Sequence, residues 1–388
     1  MKNITPALKT EPPAMHVFFD DQIFHTQVRG GISRYITEVA TALKNENLAT
    51  PHIFGGYSRN QQLADFASKN PAETHYIPRT DQLRINSLVK KMSAAWRKAT
   101  YYQLAKDKRP FIYHPSFYQI DPFIQKRAAA TVITVHDMIA ELFPSSSKHS
   151  IRHIAEKRHA ITIADHVVTD SESTRNDLLR FFPDLSPEKI TATLLGPGLS
   201  PPQLTPVKSH PRDYFLHVGN RSGYKNGDTL ISAFIQANKS LVNTDLILCG
   251  PPLSPQEKDI ITKSGIESRI IQIRGTDSEL QALYTHAIAL VFPSSYEGFG
   301  LPILEAQSHG CPVITCAVSS LPEVAGDFAI YTPVRDVEAL AHELVSLASD
   351  KNKQKKLSDG GQKKAQEFTW KRTAQITSIA YQKALARD

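Results

Sequence analysis

Twice along this chain, short apolar runs alternate with longer amphipathic segments, and no other feature restricts the fold as strongly. Such runs, bounded by turn residues, read as buried strands, and amphipathic segments between them read as helices covering a parallel sheet. In the first half the strand candidates are MHVFF (15–19), HIFGG (52–56), THYIP (74–78), FIYHP (111–115), TVITV from 131, HVVT and ITATLLGPG (190–198). In the second half they are DYFLHV, DLILCG, RIIQIRG, IALVF and PVIT. Between the halves stand Pro197, Pro201, Pro202, Pro206 and Pro211, the composition of a stiff, exposed connector. The expectation is an α/β protein of two domains, 15–198 and 213–369, joined by a linker over 199–212. A length of 388 residues suits two domains, and 41% hydrophobic content suffices for two cores.

A formal charge of +7 favours phosphate-bearing ligands, nucleic acid or anionic lipid without choosing among them. Cys249, Cys311 and Cys316 lie in apolar or strand-like surroundings and have no His/Cys partners at zinc spacing, so buried free thiols are expected. No apolar run is long enough to span a bilayer, and residues 1–14 lack the apolar core of a signal peptide. These features point to a loose N-terminal extension and a cytoplasmic protein.

The chemistry concentrates in PSSYEGFGLPILEAQSHGCPVIT, from Pro293 to Thr315. A strand end is followed by a polar turn, Glu297, a Gly-Phe-Gly bend and Pro302. Proline fits the first turn of a helix, so a helix is expected from about Leu301, with Glu305 in its first turn. Its free N–H groups and positive dipole end would form an anion site, and Gly298 and Gly300 would let a ligand approach the backbone. Seven residues separate the two glutamates, one before the bend and one after it. Either alone could simply complement the helix dipole. Together with the bend they can face one ligand.

This string resembles the E-x7-E signature of the large retaining glycosyltransferase family of GT-B architecture, family four, and the likeness runs from about Met15 to the C-terminus. The resemblance implies two Rossmann-like domains facing across a deep cleft. EFTWKRTAQITSIAYQKAL is similar to the family's terminal helix, so residues 370–388 are expected to cross back onto the first domain. It implies that Glu297 lies by the donor sugar, that Glu305 binds the ribose, and that Gly298, Phe299, Gly300 and Leu301 hold the diphosphate through their backbone. The loop Ile273–Gly275, which includes Arg274, would meet the nucleobase.

Three further loops fit the same picture. In QVRGGISRY, Gly30 and Gly31 join a strand to a helix from about Ile32 to Lys44; a tight turn explains them equally well, and the resemblance places them beside the diphosphate. His136 follows a buried strand, where open α/β sheets bind ligands; a structural histidine bonded to a loop carbonyl is the alternative. The family's H-D pair implies that His136 sits beside the donor sugar while Asp137 holds the loop. In HVGNRSGYKNGD, Arg221 and Lys225 flank a glycine bend after the first strand of the second domain. They match the family's diphosphate-gripping cations, although GNRSGYKN is a variant spelling. After the strand HVVT, Ser171 reads as a helix N-cap.

Between Arg84 and Arg109 lies a helix bearing Lys90, Lys91, Arg97, Lys98, Lys106 and Lys108, with Leu88, Met92 and Trp96 every four residues. A solvated basic face and peripheral docking on an anionic membrane are both open readings.

The function implied is transfer of a hexose, mannose by family likeness, from a nucleotide-diphosphate sugar to a glycan or lipid-linked acceptor of cell-surface polysaccharide. No cofactor and no metal is expected, since no D-x-D triplet occurs, and no nucleic acid partner is expected. A nucleotide-sugar 2-epimerase of the same architecture and a non-catalytic basic lipid or nucleic-acid binder are the alternatives. The phosphorylases of this architecture would need a pyridoxal lysine and a far longer chain.

Overall fold

The computed structural model describes residues 15–78, 87–105, 110–144, 147–199 and 210–386. The expected extension over 1–14 and the linker residues 200–209 lie outside these, as do Arg84, Lys106, Lys108 and Arg109.

Two parallel sheets form, as the alternation predicts. The first comprises β1 (His16–Phe19), β2 (Thr50–Ser58), β3 (Thr74–Pro78), β4 (Phe111–Tyr113), β5 (Ala130–Val135), β6 (His166–Thr169) and β7 (Ile190–Ala192), ordered β3-β2-β1-β4-β5-β6-β7. The second comprises β8 (Asp213–Val218), β9 (Thr244–Cys249), β10 (Ile270–Ile273), β11 (Ala289–Phe292), β12 (Val313–Cys316) and β13 (Ile330–Thr332), ordered β10-β9-β8-β11-β12-β13. Each order reverses beside its first strand, so the loops after β8 and β11 flank a crevice at the strands' C-terminal ends. β5 and β9 are buried along their whole length, which is why they read as unbroken apolar runs. β13 was missed by the sequence reading because three residues with one half-exposed side chain make no run.

The C-terminal helix Trp370–Leu385 does return to the first domain, packing on the helix Gly31–Asn45 and on β5, β6 and β7. It is held by polar contacts as well as packing. Trp370 Nε1 donates to the Pro197 carbonyl at 2.9 Å and Thr373 Oγ1 to that of Leu194 at 2.7 Å. Tyr381 OH meets His114 Nδ1 at 2.7 Å, His114 Nε2 meets Thr134 Oγ1 at 2.9 Å, and Thr134 Oγ1 meets Tyr35 OH at 2.9 Å. Burial pushes His114 down to about 3, so it serves this chain as a neutral ring with one donor and one acceptor nitrogen.

The basic segment forms the helix Ser87–Ala105, and its expected face is corrected at Arg97. That guanidinium turns inward, 2.6 Å from Asp21 Oδ1 and 3.0 Å from Asp121 Oδ2. Asp21 is nearly buried behind β1 and needs a counter-charge, which solvent cannot supply there. Trp96 also faces the sheet, its ring edge-on to Phe54 at 5.1 Å, whereas Met92 is exposed. Among the described residues no helix is long and apolar enough to cross a membrane.

Candidate active site

The bend after β11 is the centre of the site. Gly300, with φ at 107°, begins the helix Leu301–Ser308, and Pro302 occupies its first turn as expected. Glu305 therefore falls in the second turn, one turn deeper than the sequence reading put it. The bend is pinned from the following loop: Ser320 Oγ donates to the carbonyls of Glu297 and Phe299 at 2.9 and 2.8 Å, and Ser319 Oγ accepts from the Glu297 amide at 2.9 Å.

A cavity of about 300 Å³ opens between the domains at this bend. The second domain contributes Glu297, Gly298, Phe299, Gly300 and Leu301, together with Lys225 from the loop after β8. The first domain contributes Gly31 and His136. Lys225 Nζ donates to both carboxylate oxygens of Glu297, at 2.6 and 2.7 Å, so a cation and an anion share one wall. His136 borders the same cavity from the first domain.

The domains touch through this same bend. The carbonyl of Gly298 accepts from Ser171 Oγ at 2.7 Å and Thr174 Oγ1 at 3.1 Å. Ser171 also caps its own helix, as predicted, accepting from the Thr174 amide at 3.0 Å. A Cβ on Gly298 would overlap the His136 carbonyl oxygen, so only glycine lets these backbones meet.

Other expected residues fall elsewhere. Arg221 does not face the cavity: Nε donates to Glu257 Oε1 at 2.6 Å, and Nη2 donates to the Pro251 and Pro252 carbonyls at 2.9 and 3.1 Å. Its side chain is therefore a buried brace between two loops of the second domain. Asn220 and Tyr224 border the cavity in its stead, and neither was foreseen. A usable signal was Asn220's place directly after Gly219, at the end of the strand. Gly30 caps the helix Gly31–Asn45 and packs against the Gln27 side chain, outside the cavity lining. Arg274 is exposed on the loop after β10, also outside the cavity lining.

Glu305 is buried beside the cavity and bridges the domains. Its Oε1 accepts from Arg34 Nη1 at 3.2 Å, and its Oε2 accepts from Tyr284 OH at 3.1 Å. Arg34 and Arg29 of the first domain also reach Asp277, at 3.5 and 2.7 Å. Burial pushes the Glu305 carboxyl up to about 7, with Arg34 pulling it back. Folding thus favours its protonated form. That contribution is complete below the ordinary value of 4.5 and is lost as pH rises through about 7. Glu305→Gln mimics the protonated state, so its stability relative to wild type should improve between about pH 5 and about pH 8. Urea unfolding at both pH values checks this; an unchanged difference would contradict it.

Comparison with known proteins matches residues 205–364 to the family model described as Glycosyl transferases group 1. O-antigen chain mannosyltransferase B of Escherichia coli is 30% identical over 294 residues, 71% of this chain and 75% of that one. The MMP alpha-(1->4)-mannosyltransferase of Mycolicibacterium hassiacum is 30% identical over 243 residues, 60% of this chain and 57% of that one. Among solved structures, Anabaena Alr3699/HepE in complex with UDP and glucose superposes with a TM-score of 0.71 at 18% identity, covering 95% of this chain and 99% of that one.

Proposed function

Given that the chain belongs to the group 1 glycosyl transferases, family four with the GT-B fold, we propose that it is a retaining hexosyltransferase. It transfers mannose from a nucleotide-diphosphate sugar to a glycan or lipid-linked acceptor during cell-surface polysaccharide synthesis. It works in the cytoplasm, at the inner face of the cytoplasmic membrane. The name of the Escherichia coli relative supports the sugar and the pathway.

The observation that carries this reading is the Lys225–Glu297 pair in a cavity that His136 also lines from the first domain. As the bond between the anomeric carbon and the diphosphate oxygen breaks, negative charge grows on the leaving group and positive charge on the sugar ring. Lys225 and the helix N-terminus after Gly300 stabilise the first, and the Glu297 carboxylate stabilises the second. The acceptor hydroxyl attacks from the face the diphosphate leaves, giving up its proton to the departing phosphate, so configuration is retained. Glu305 holds the ribose, and the backbone from Gly298 to Leu301 holds the diphosphate. No cofactor takes part.

The test is incubation with UDP-, GDP- and ADP-sugars, following nucleoside diphosphate release and the anomeric configuration of the product. Release from one donor with a retained product is expected; no release from any donor, or an inverted product, would overturn the assignment. Release should persist in excess EDTA, because Lys225 and the helix terminus replace a metal ion at the leaving group. Activity that vanishes with EDTA and returns with Mg²⁺ or Mn²⁺ would reverse that part. Above about pH 7, where its carboxyl is ionised, Glu305→Ala should weaken the released nucleoside diphosphate by roughly 1.5–3 kcal/mol, the worth of a charged hydrogen-bond partner. Calorimetry showing equal affinity would leave Glu305 as an interdomain bridge alone.

A further inference from the structure

Asp170 follows β6 and is buried, yet it borders the interdomain cavity beside His136. Its Oδ2 accepts from His136 Nδ1 at 2.8 Å. The other oxygen, Oδ1, is buried and has no hydrogen-bond partner among the described residues. An unpaired buried carboxylate oxygen is costly and uncommon in a folded protein, and its place at a ligand cavity calls for a donor from the ligand. The imidazole it holds is fixed by a second contact, the Tyr35 ring edge-on at 5.1 Å and 82°. Tyr35 is itself held by Thr134. With Nδ1–H committed to Asp170, only Nε2 of His136 remains for the cavity.

Building on the transferase reading, we propose that Asp170 sets the orientation and tautomer of His136 through Oδ2 and reads a hydroxyl of the transferred sugar through Oδ1. The donor sugar is then gripped by a pair of groups from the first domain facing Glu297 and Lys225 of the second. The two-handed arrangement also accounts for a carboxylate in a site whose leaving group is anionic: its charge is directed at the imidazole and at a neutral hydroxyl. Burial pushes the Asp170 carboxyl up, and the imidazole is the chief influence opposing that rise. Placing a hydroxyl on Oδ1 would add a second influence in the same direction.

The experiment compares wild type, Asp170→Asn and Asp170→Ser with the donor selected from the nucleotide-sugar panel and with its monodeoxy analogues. UDP and GDP binding, thermal melting and the pH profile of kcat/KM are followed alongside. The asparagine variant should lose roughly a hundredfold in kcat/KM, mostly in kcat, with an altered pH profile, while nucleoside diphosphate affinity and melting temperature stay near wild type. One monodeoxy donor should be penalised about tenfold or more by wild type and far less by Asp170→Asn, since the lost hydroxyl and the lost carboxylate are one interaction. Turnover within a few-fold of wild type would overturn the proposal, as would penalties that are the same in both proteins for every analogue. A loss that tracks weaker nucleotide binding and lower melting temperature, or failure of both variants to fold, would assign Asp170 to the fold instead. Wild type that releases no nucleoside diphosphate from any donor would mark failure of the transferase reading itself, a distinct result.

Discussion

Glu297→Gln should reduce transfer by about a hundredfold or more while leaving nucleoside diphosphate binding intact or slightly tighter. Both oxygens of Glu297 accept from Lys225, so the pair is balanced in the resting site. Glutamine keeps the shape but removes the negative charge, and it turns one acceptor into an amide donor directed at an ammonium. The sugar ring then develops positive charge with no carboxylate beside it, which raises the barrier to bond cleavage. Lys225, released from its partner, is left free to bind the diphosphate, so affinity for the product should not fall. Single-turnover rates together with calorimetry of UDP or GDP separate these effects. Near-normal turnover would show that Glu297 only neutralises Lys225.

Gly298→Ala is expected to cost a similar factor for an unrelated reason. Its missing side chain is what lets the His136 carbonyl of the first domain reach the bend, and Ser171 and Thr174 fasten that contact. A methyl group cannot be absorbed by a rotamer change, because the atom it meets is backbone. The walls carrying His136 and Glu297 must separate, and a displacement of about an ångström in a reacting pair costs on the order of a hundredfold. The contact is a small part of an apolar cluster shared by both domains, so the melting temperature should move by only a few degrees, the shift of roughly 1 kcal/mol or less in a protein of this size. A variant with wild-type kcat/KM would mean that catalysis does not use this closed contact.

Much of this site could be read from the sequence because its parts are local. The Gly-Phe-Gly bend and Pro302 act through neighbours in the chain, and a helix start obeys rules written within a few residues. The partners of the two glutamates, Lys225 and Arg34, by contrast lie far off in sequence. Arg221 shows where that stops. Whether a loop cation faces a cleft or a partner behind it depends on Glu257 and on the carbonyls of Pro251 and Pro252, which lie far along the chain. Arg97 was misjudged for the same reason, since its acids come from two other loops. Asp170 went unnoticed because TDSES gives no sign that β6 will set it beside His136. Both sheets were legible, save β13, because parallel strands buried on two faces leave a continuous apolar signature.

The returning C-terminal helix has a consequence for how this protein is made. Thr373 and Tyr381 bond to Leu194 and His114, so the first domain is completed by residues translated after the second. Domains of most chains can settle in order as they leave the ribosome. Here β5, β6 and β7 must wait with one face uncovered until the whole second domain has been synthesised. The His114–Thr134–Tyr35 chain, whose Tyr35 borders the cavity, likewise gains its final partner only then. Half-made protein therefore carries an unsealed groove, and the Tyr35 side of the cavity is braced only once the helix Trp370–Leu385 has been made.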